Sequence, residues 1–128
     1  MTHHPVVLIV EDNPRNLKLA RDVLNHAGYD TLEAASAEEG LALAHKRHPG
    51  VVLLDIQLPG MDGVQALRSL RADPATADIP VIALTAFAMK ADRERFLAAG
   101  FDHYVEKPLD IHELRRQVAA VLDGHEHG

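Results

Sequence analysis

Acidic, hydroxyl and basic side chains stand at the ends of four short apolar runs in this chain. Glu11 and Asp12 follow the first run, Asp55 closes the third, Thr85 closes the fourth and Lys107 follows the fifth. Three carboxylates brought close together repel one another, and a hard divalent cation with oxygen ligands relieves that repulsion. Mg²⁺ suits such a set, because it typically uses one or two carboxylates, keeps several waters and binds a substrate phosphate. These residue types therefore indicate a Mg²⁺ site.

The lysine and the hydroxyl extend this chemistry to phosphate. Lys107 provides a cation that can hold a phosphate oxygen or Asp55 itself, and Thr85 can donate a hydrogen bond to the same group. A carboxylate nucleophile, a metal ion, a lysine and a hydroxyl are the parts needed to transfer a phosphoryl group onto an aspartate. Each residue alone has an ordinary structural explanation, such as a helix cap. Their occurrence at successive strand ends favours a functional site.

Five apolar runs supply the strands that must position these residues. Three of them are almost continuously apolar and rich in Val and Ile, which predicts central strands covered on both faces. The second alternates with polar residues, as an edge strand does. The runs are Val6–Val10, Tyr29–Ala34, Val51–Leu54, Val81–Leu84 and His103–Val105.

Helical patterns lie between and after the runs, each with a recognisable start or end. Asn13 and Pro14 open the first helix, and Ser36 with Glu39 forms a capping-box pattern for the second. Gly100 ends the fourth. The predicted helices are Pro14–Ala27, one that follows Ser36, about Val64–Arg71, about Ala88–Ala99 and one that starts at Asp110.

Alternation of strand and helix predicts the fold class and the position of the site. Parallel strands need crossover helices, and these crossovers are right-handed, so we expect an α/β fold with helices on both sides of an open sheet. In such sheets ligands bind beyond the carboxyl ends of the strands, where the strand order reverses. The side chains described above stand at those ends.

The composition is that of one folded domain, and it excludes several classes of function. With 128 residues, 47% apolar and 25% charged, we expect a single domain over 1–128 with its core at about 6–122. The lack of cysteine excludes a disulfide framework and a cysteine nucleophile. A net charge of −6 offers no basic face for nucleic acid, and no apolar run could span a membrane. Without a signal-peptide pattern, we expect a soluble cytoplasmic protein.

Several separate segments, in the same order, resemble the receiver domains of two-component response regulators. The likeness extends from Val6 to Leu122. Its segments are Val-Glu-Asp-Asn at 10–13, Leu-Leu-Asp-Ile-Gln-Leu-Pro-Gly-Met-Asp-Gly at 53–63, Ala-Leu-Thr-Ala at 83–86 and Lys-Pro at 107–108. The resemblance implies a flavodoxin-like, doubly wound parallel sheet of five strands in the order 2-1-3-4-5, with five helices.

The resemblance also implies roles for the site residues. Asp55 would accept a phosphoryl group from a histidine kinase or a histidine phosphotransfer protein. Mg²⁺ would bind the side chains of Glu11, Asp12 and Asp55 and the backbone carbonyl of Gln57. Lys107 would contact the phosphoryl group and form a cis peptide bond with Pro108. Glu11 departs from the family pattern, since many receivers have Asp there, and we expect it to reach the metal through water.

A conformational switch is the further implication of the family. Phosphorylation adds charge and acceptor oxygens, so Thr85 and Lys107 would gain hydrogen bonds and Tyr104 would move into the space that Thr85 leaves. The surface of the fourth helix, fifth strand and fifth helix would then change and bind a downstream protein. The apolar segment Ala86–Met89 marks an interaction site there; alternatively, Phe87 and Met89 pack into the core.

Other functions remain open to the sequence. A flavodoxin-type electron carrier should have Ser, Thr and Gly after the first strand, where this chain has Glu-Asp-Asn-Pro, and a haloacid-dehalogenase-type phosphatase should have Asp where this chain has Gln57. A receiver cut from a hybrid histidine kinase is a closer alternative. The initial Met and the lack of an output domain after Leu122 favour a free-standing regulator. We expect a regulatory protein and not an enzyme.

Overall fold

The chain forms a five-stranded parallel sheet with helices on both faces. The computed structural model describes residues 5–86 and 89–127. The strands are β1 Val6–Val10, β2 Asp30–Ala34, β3 Val51–Asp55, β4 Val81–Thr85 and β5 His103–Glu106. They pair in the order β2-β1-β3-β4-β5, and every pair is parallel. The predicted fold class and strand order are therefore confirmed, with the alternating second run at an edge.

Five helices connect the strands or follow them. They are α1 Pro14–His26, α2 Ala37–Arg47, α3 Gly63–Ala72, α4 Lys90–Ala99 and α5 Ile111–His127. Asn13 caps α1 by accepting from the N–H groups of Arg15 and Asn16, and Ser36 caps α2 by accepting from Glu39. A reciprocal capping box that we did not predict opens α3, where Asp62 and Gln65 each accept from the backbone N–H of the other.

The start of α4 differs from the prediction. The helix begins at Lys90, with Met89 as an N-cap that makes no side-chain hydrogen bond, and the predicted first residue, Ala88, lies outside the described residues. Methionine carries no good acceptor for the first N–H groups of a helix, so no capping signal in the sequence marks this start. Met89 is 74% exposed, which contradicts the core alternative for this residue. Phe87 also lies outside the described residues.

Two hydrophobic clusters cover the two faces of the sheet. Leu8 and Val10 of β1 point into one cluster, whereas Val7 and Ile9 point into the other. Successive side chains of a strand face opposite sides, so a strand covered on both faces must be apolar at every position. This explains the continuous apolar runs. None of the described helices is both long and apolar enough to cross a membrane.

The register of the sheet brings four strand ends together. Val10 pairs with Leu54, Asp55 with Leu84 and Thr85 with Glu106. The carboxyl ends of β1, β3, β4 and β5 consequently lie side by side. β1 lies between β2 and β3, so the chain continues to one side of β1 with β2 and then to the other side with β3. This reversal of strand order leaves a crevice at the carboxyl edge.

Candidate functional site

Asp55 lies at the centre of this edge as the last residue of β3. It is 2% exposed. Its Oδ1 accepts the backbone N–H of Gln57 at 3.0 Å, and its Oδ2 accepts from Lys107 Nζ at 3.0 Å. Both bonds fix the orientation of the carboxylate at the end of β3. Asp55 is thus a buried, firmly oriented oxygen ligand.

Lys107 joins two carboxylates that come from different strands. Its Nζ lies 2.8 Å from Glu11 Oε1 and 3.0 Å from Asp55 Oδ2. Its backbone N–H donates to the Thr85 carbonyl at 2.8 Å, and the Lys107–Pro108 peptide bond is cis. Burial by itself would lower the pKa of Lys107. Its contacts with Glu11 and Asp55 raise the pKa by more than burial lowers it, so the net shift is upward. Lys107 therefore stays charged between its two partners.

Glu11 is fully buried beside them. Its Oε2 accepts the Asn13 N–H at 3.3 Å. Its Oε1 is close enough to Lys107 for an ion pair, but the angles do not make a hydrogen bond. Among the side chains that the structure describes, this is the one buried oxygen or nitrogen without a hydrogen bond. Burial, with Asp55 nearby, raises the pKa of Glu11 despite the opposing effect of Lys107.

The acidic cluster fits a hard cation. Glu11, the exposed Asp12 and Asp55 each offer one oxygen, and the three oxygens lie within 4.8 Å of one another. Carboxylate oxygens are the ligands that Mg²⁺ and Ca²⁺ prefer. Glu11 Oε1 has an ion pair with Lys107 but no hydrogen bond, and a single lysine faces three carboxylates, so negative charge remains uncompensated. A bound cation would neutralise this charge.

Thr85 and Gln57 complete the set of predicted site residues. Thr85 is 1% exposed at the end of β4, between β3 and β5. Its side chain faces the same side of the sheet as Ala83, which pairs with Tyr104. Gln57 is exposed and contacts Asp55 through its backbone N–H. A ligand role for the Gln57 carbonyl stays a prediction.

Gly63 is a site residue whose role sequence reasoning missed. Its N–H donates to the Ile56 carbonyl at 2.9 Å, which draws the start of α3 onto the chain just after Asp55. A Cβ at this position would lie 2.7 Å from the Asp55 carbonyl oxygen and 2.7 Å from Ile56 Cα. Only glycine allows this approach. The sequence shows the glycine, but the close contact depends on the tertiary fold.

Tyr104 and its neighbour Arg93 lie at one side of the site. Tyr104 is half-buried in β5 and packs against the cluster beneath α4. Its hydroxyl accepts from Arg93 Nη1 at 3.0 Å. Sequence reasoning also missed Arg93, because no pattern connects it to Tyr104 along the chain. The structure thus brings together Glu11, Asp12, Asp55 and Lys107, and places Tyr104 on β5 nearby.

Comparison with known proteins decides the family. Residues 7–119 match the response regulator receiver domain family. This chain is a response regulator receiver domain. It is 46% identical over 105 residues to the polar-differentiation response regulator DivK of Brucella ovis. The matched residues make up 82% of this chain and 85% of DivK.

Solved receiver domains share the whole fold. The receiver domain of sensor histidine kinase PA1611 from Pseudomonas aeruginosa is 34% identical, with a TM-score of 0.86, and covers 94% of this chain and 99% of its own. That structure holds a magnesium ion in its active-site cleft. A CheY-like receiver domain protein of Methanospirillum hungatei is 30% identical, with a TM-score of 0.86, and each chain covers 98% of the other.

Membership in this family settles the class of function. Receiver domains are regulatory phosphoacceptors that interact with histidine kinases or phosphotransfer proteins and with downstream targets. This excludes the electron-carrier and phosphatase alternatives. DivK and the kinase PA1611 both contain such a domain, so the choice between a free-standing regulator and part of a hybrid kinase stays a prediction.

Proposed function

We propose that Asp55 of this receiver domain accepts the phosphoryl group from a phosphohistidine of a histidine kinase or phosphotransfer protein. The observation that supports this assignment most directly is the position of its carboxylate. It lies at the crevice, 3.0 Å from Lys107 and within an acidic cluster that fits a hard cation. Glu11 also belongs to the cluster and lies 2.8 Å from Lys107. Asp55 is the one of the two that ends β3, within the segment that resembles the receiver family, and we therefore assign it as the nucleophile.

The transfer itself exchanges one bond at phosphorus for another. An oxygen of Asp55 bonds to the phosphorus, and the bond from phosphorus to the histidine nitrogen breaks. Its electron pair stays on the imidazole. The ammonium of Lys107 contacts Asp55 before transfer and would hold a phosphoryl oxygen afterwards. The Gln57 N–H keeps the carboxylate oriented toward the crevice.

Mg²⁺ is the cation that we assign to the cluster. Glu11, Asp12 and Asp55 would hold it with their side chains, and Gln57 with its carbonyl. When bound, it neutralises charge that carboxylates and phosphoryl oxygens share. Glu11 and Asp55 are buried and Asp12 is exposed, so the cation would reach the site from the side of Asp12.

Phosphorylation would change the surface that α4, β5 and α5 form. Thr85 and Lys107 belong to adjacent strand ends, so hydrogen bonds from both to one phosphoryl group would draw these ends together. Tyr104 would then move toward Thr85, and a downstream protein would bind the altered face. The chain promotes its own phosphorylation and dephosphorylation and turns over no other substrate. Its cytoplasmic location stays a prediction.

Intact-protein mass spectrometry tests the proposal. The protein is incubated with acetyl phosphate and Mg²⁺, beside an Asp55→Asn variant. A gain of one phosphoryl group in the wild type, lost in the variant and in the presence of a chelator, is the expected result. Asp102→Asn, which changes a carboxylate far from the cluster, is the matched control and should gain the group. Phosphorylation of Asp55→Asn at the wild-type rate would refute the assignment.

A further inference from the structure

Arg93 makes two contacts with the ring of Tyr104. Its Nη1 donates to the tyrosine hydroxyl at 3.0 Å, and its Cζ lies 5.7 Å from the ring centroid. One guanidinium therefore offers both a hydrogen bond and a cation–π interaction. Arg93 belongs to the first turn of α4 and Tyr104 to β5, so the two contacts bridge a helix and a strand. They fix the ring at both its edge and its face.

The position of Tyr104 makes this bridge relevant to switching. Its side chain faces the same side of the sheet as Ala83 and Thr85, because Ala83 and Tyr104 are register partners and Thr85 lies two residues further along β4. A ring that moves toward Thr85 must carry its hydroxyl away from α4. Inward movement would consequently break the hydrogen bond with Arg93.

We infer that Arg93 is a positioning residue that holds Tyr104 in the outward state and so opposes switching before phosphorylation. The inference rests on the proposed function, in which Tyr104 moves inward when Asp55 is phosphorylated. Both contacts are made with the ring in the position that the structure shows, which we call outward, and a contact made in one state shifts the equilibrium toward that state. An exposed cation–π contact and a hydrogen bond together correspond to a factor of about three to ten in the ratio of inward to outward tyrosine.

Glu106 belongs to the same arrangement. It is the register partner of Thr85, and its carboxylate interacts electrostatically with Arg93. The Arg93 guanidinium therefore interacts with both the Tyr104 ring and the Glu106 carboxylate at the end of β5. On switching, Arg93 would lose its two contacts with Tyr104, and the surface at this face would change.

Fluorine NMR measures the position of Tyr104 directly. The chain has two tyrosines, so a Tyr29→Phe background labelled with 3-fluorotyrosine reports Tyr104 alone. Spectra are recorded without ligand and with Mg²⁺ and beryllofluoride, which imitates the phosphoryl group. Arg93→Ala should move the ligand-free resonance toward its beryllofluoride position. Arg93→Lys should have a smaller effect, because lysine keeps the charge and loses the planar fork.

Arg95 provides the matched control on the same helix. It stacks on Phe96 at 5.1 Å and its side chain is 65% exposed, so Arg95→Ala removes an arginine of equal charge without touching Tyr104. In Arg95→Ala, the ligand-free resonance of Tyr104 should stay where it is in the background protein. By linkage, Arg93→Ala should also tighten beryllofluoride binding about three- to tenfold, whereas Arg95→Ala should not. A loss of helix structure alone would not increase this affinity.

The outcomes separate this inference from the proposed function. If beryllofluoride moves the resonance of the background protein but Arg93→Ala leaves it at the ligand-free position, the role of Arg93 is refuted and the switch stands. If beryllofluoride binds and the resonance does not move in any variant, both the switch through Tyr104 and the role of Arg93 are refuted.

Discussion

The carboxyl edge of the sheet and helix α4 border the same loop, yet they are fixed to the protein in opposite ways. At the edge, Glu11, Asp55 and Lys107 are mostly or fully buried and contact one another. In α4, the one described residue that is fully buried is Phe96, and the N-cap makes no side-chain hydrogen bond. The edge is built to hold charges in place, whereas α4 is weakly anchored.

Helix α3 shows what stronger anchoring looks like in the same molecule. It has the same length as α4, begins with a reciprocal capping box and buries four residues, which are Gly63, Ala66, Leu67 and Leu70. Helices with few buried contacts open or shift at lower free energy. The difference fits the proposal that the chemistry takes place at the carboxyl edge and that the response appears in α4 and β5.

Removing the positive charge of Lys107 from the carboxyl edge should destabilise the protein more than any other change considered. Lys107→Ala leaves Glu11 and Asp55 buried without their cation, and breaking a buried pair in this way costs about 3–5 kcal/mol. Urea unfolding measures the free energy. Because a divalent cation would neutralise the same carboxylates, Mg²⁺ should restore part of the loss. Lys18→Ala, which removes an exposed pair with Asp22, is the control and should cost less than about 1 kcal/mol. Equal costs for the two variants would contradict a charge-organised edge.

The next largest effect separates α3 from α4. Leu67→Ala deletes a fully buried side chain of α3 and should cost about 2–4 kcal/mol. Leu97→Ala deletes an α4 side chain that is 48% exposed and should change stability by less than about 0.5 kcal/mol. Thermal or urea unfolding compares the two. A large cost for the α4 variant would show that this helix is anchored as firmly as α3.

Adding a cap to α4 should have an intermediate effect. Met89→Ser places a hydroxyl acceptor where the N-cap makes no side-chain hydrogen bond, and since Met89 is 74% exposed, little packing is lost. A good N-cap stabilises a helix by about 0.5–2 kcal/mol. Amide hydrogen exchange in α4 should slow by the corresponding factor, while exchange in α3 stays unchanged. Unchanged exchange in α4 would mean that its first turn is already satisfied.

The smallest effect concerns the start of α5 and depends on pH. Asp110 accepts the backbone N–H groups of Glu113 and His112, and these bonds lower its pKa from the ordinary value of 3.8. A depressed pKa stabilises the fold above pH 3.8, and the contribution disappears as the pH falls through the folded value. The advantage of the wild type over Asp110→Asn should therefore be constant from pH 5 upward and shrink below about pH 4. A difference that persists at low pH would contradict a charge effect.

The sequence predicts the strands and most helix starts because local rules dictate them. Continuous apolar runs identify β1, β3 and β4, and Asn13 and Ser36 supply caps with a side-chain acceptor. The start of α4 was wrong because Met89 provides no such signal. The prediction of a single domain without an output domain stays a prediction.

The site is predictable only as far as strand ends define it. Asp55, Glu11 and Lys107 are found because parallel strands bring their carboxyl ends to one edge. The ion pair of Glu11 with Lys107, the close approach of Gly63 and the contact of Arg93 with Tyr104 join residues far apart in the chain. No periodicity or motif encodes such distances, so these features required the structure.

Reduction of the phosphorylated protein with borohydride tests the central assignment most directly. An acyl phosphate on a carboxyl group is reduced to an alcohol, so phosphorylated aspartate becomes homoserine, which peptide mass spectrometry locates. If Asp55 is the phosphoacceptor, homoserine appears at position 55 alone, in a quantity that follows the Mg²⁺ concentration. A reduced side chain at Glu11 or Asp12, with position 55 intact, would show that another carboxylate accepts the phosphoryl group.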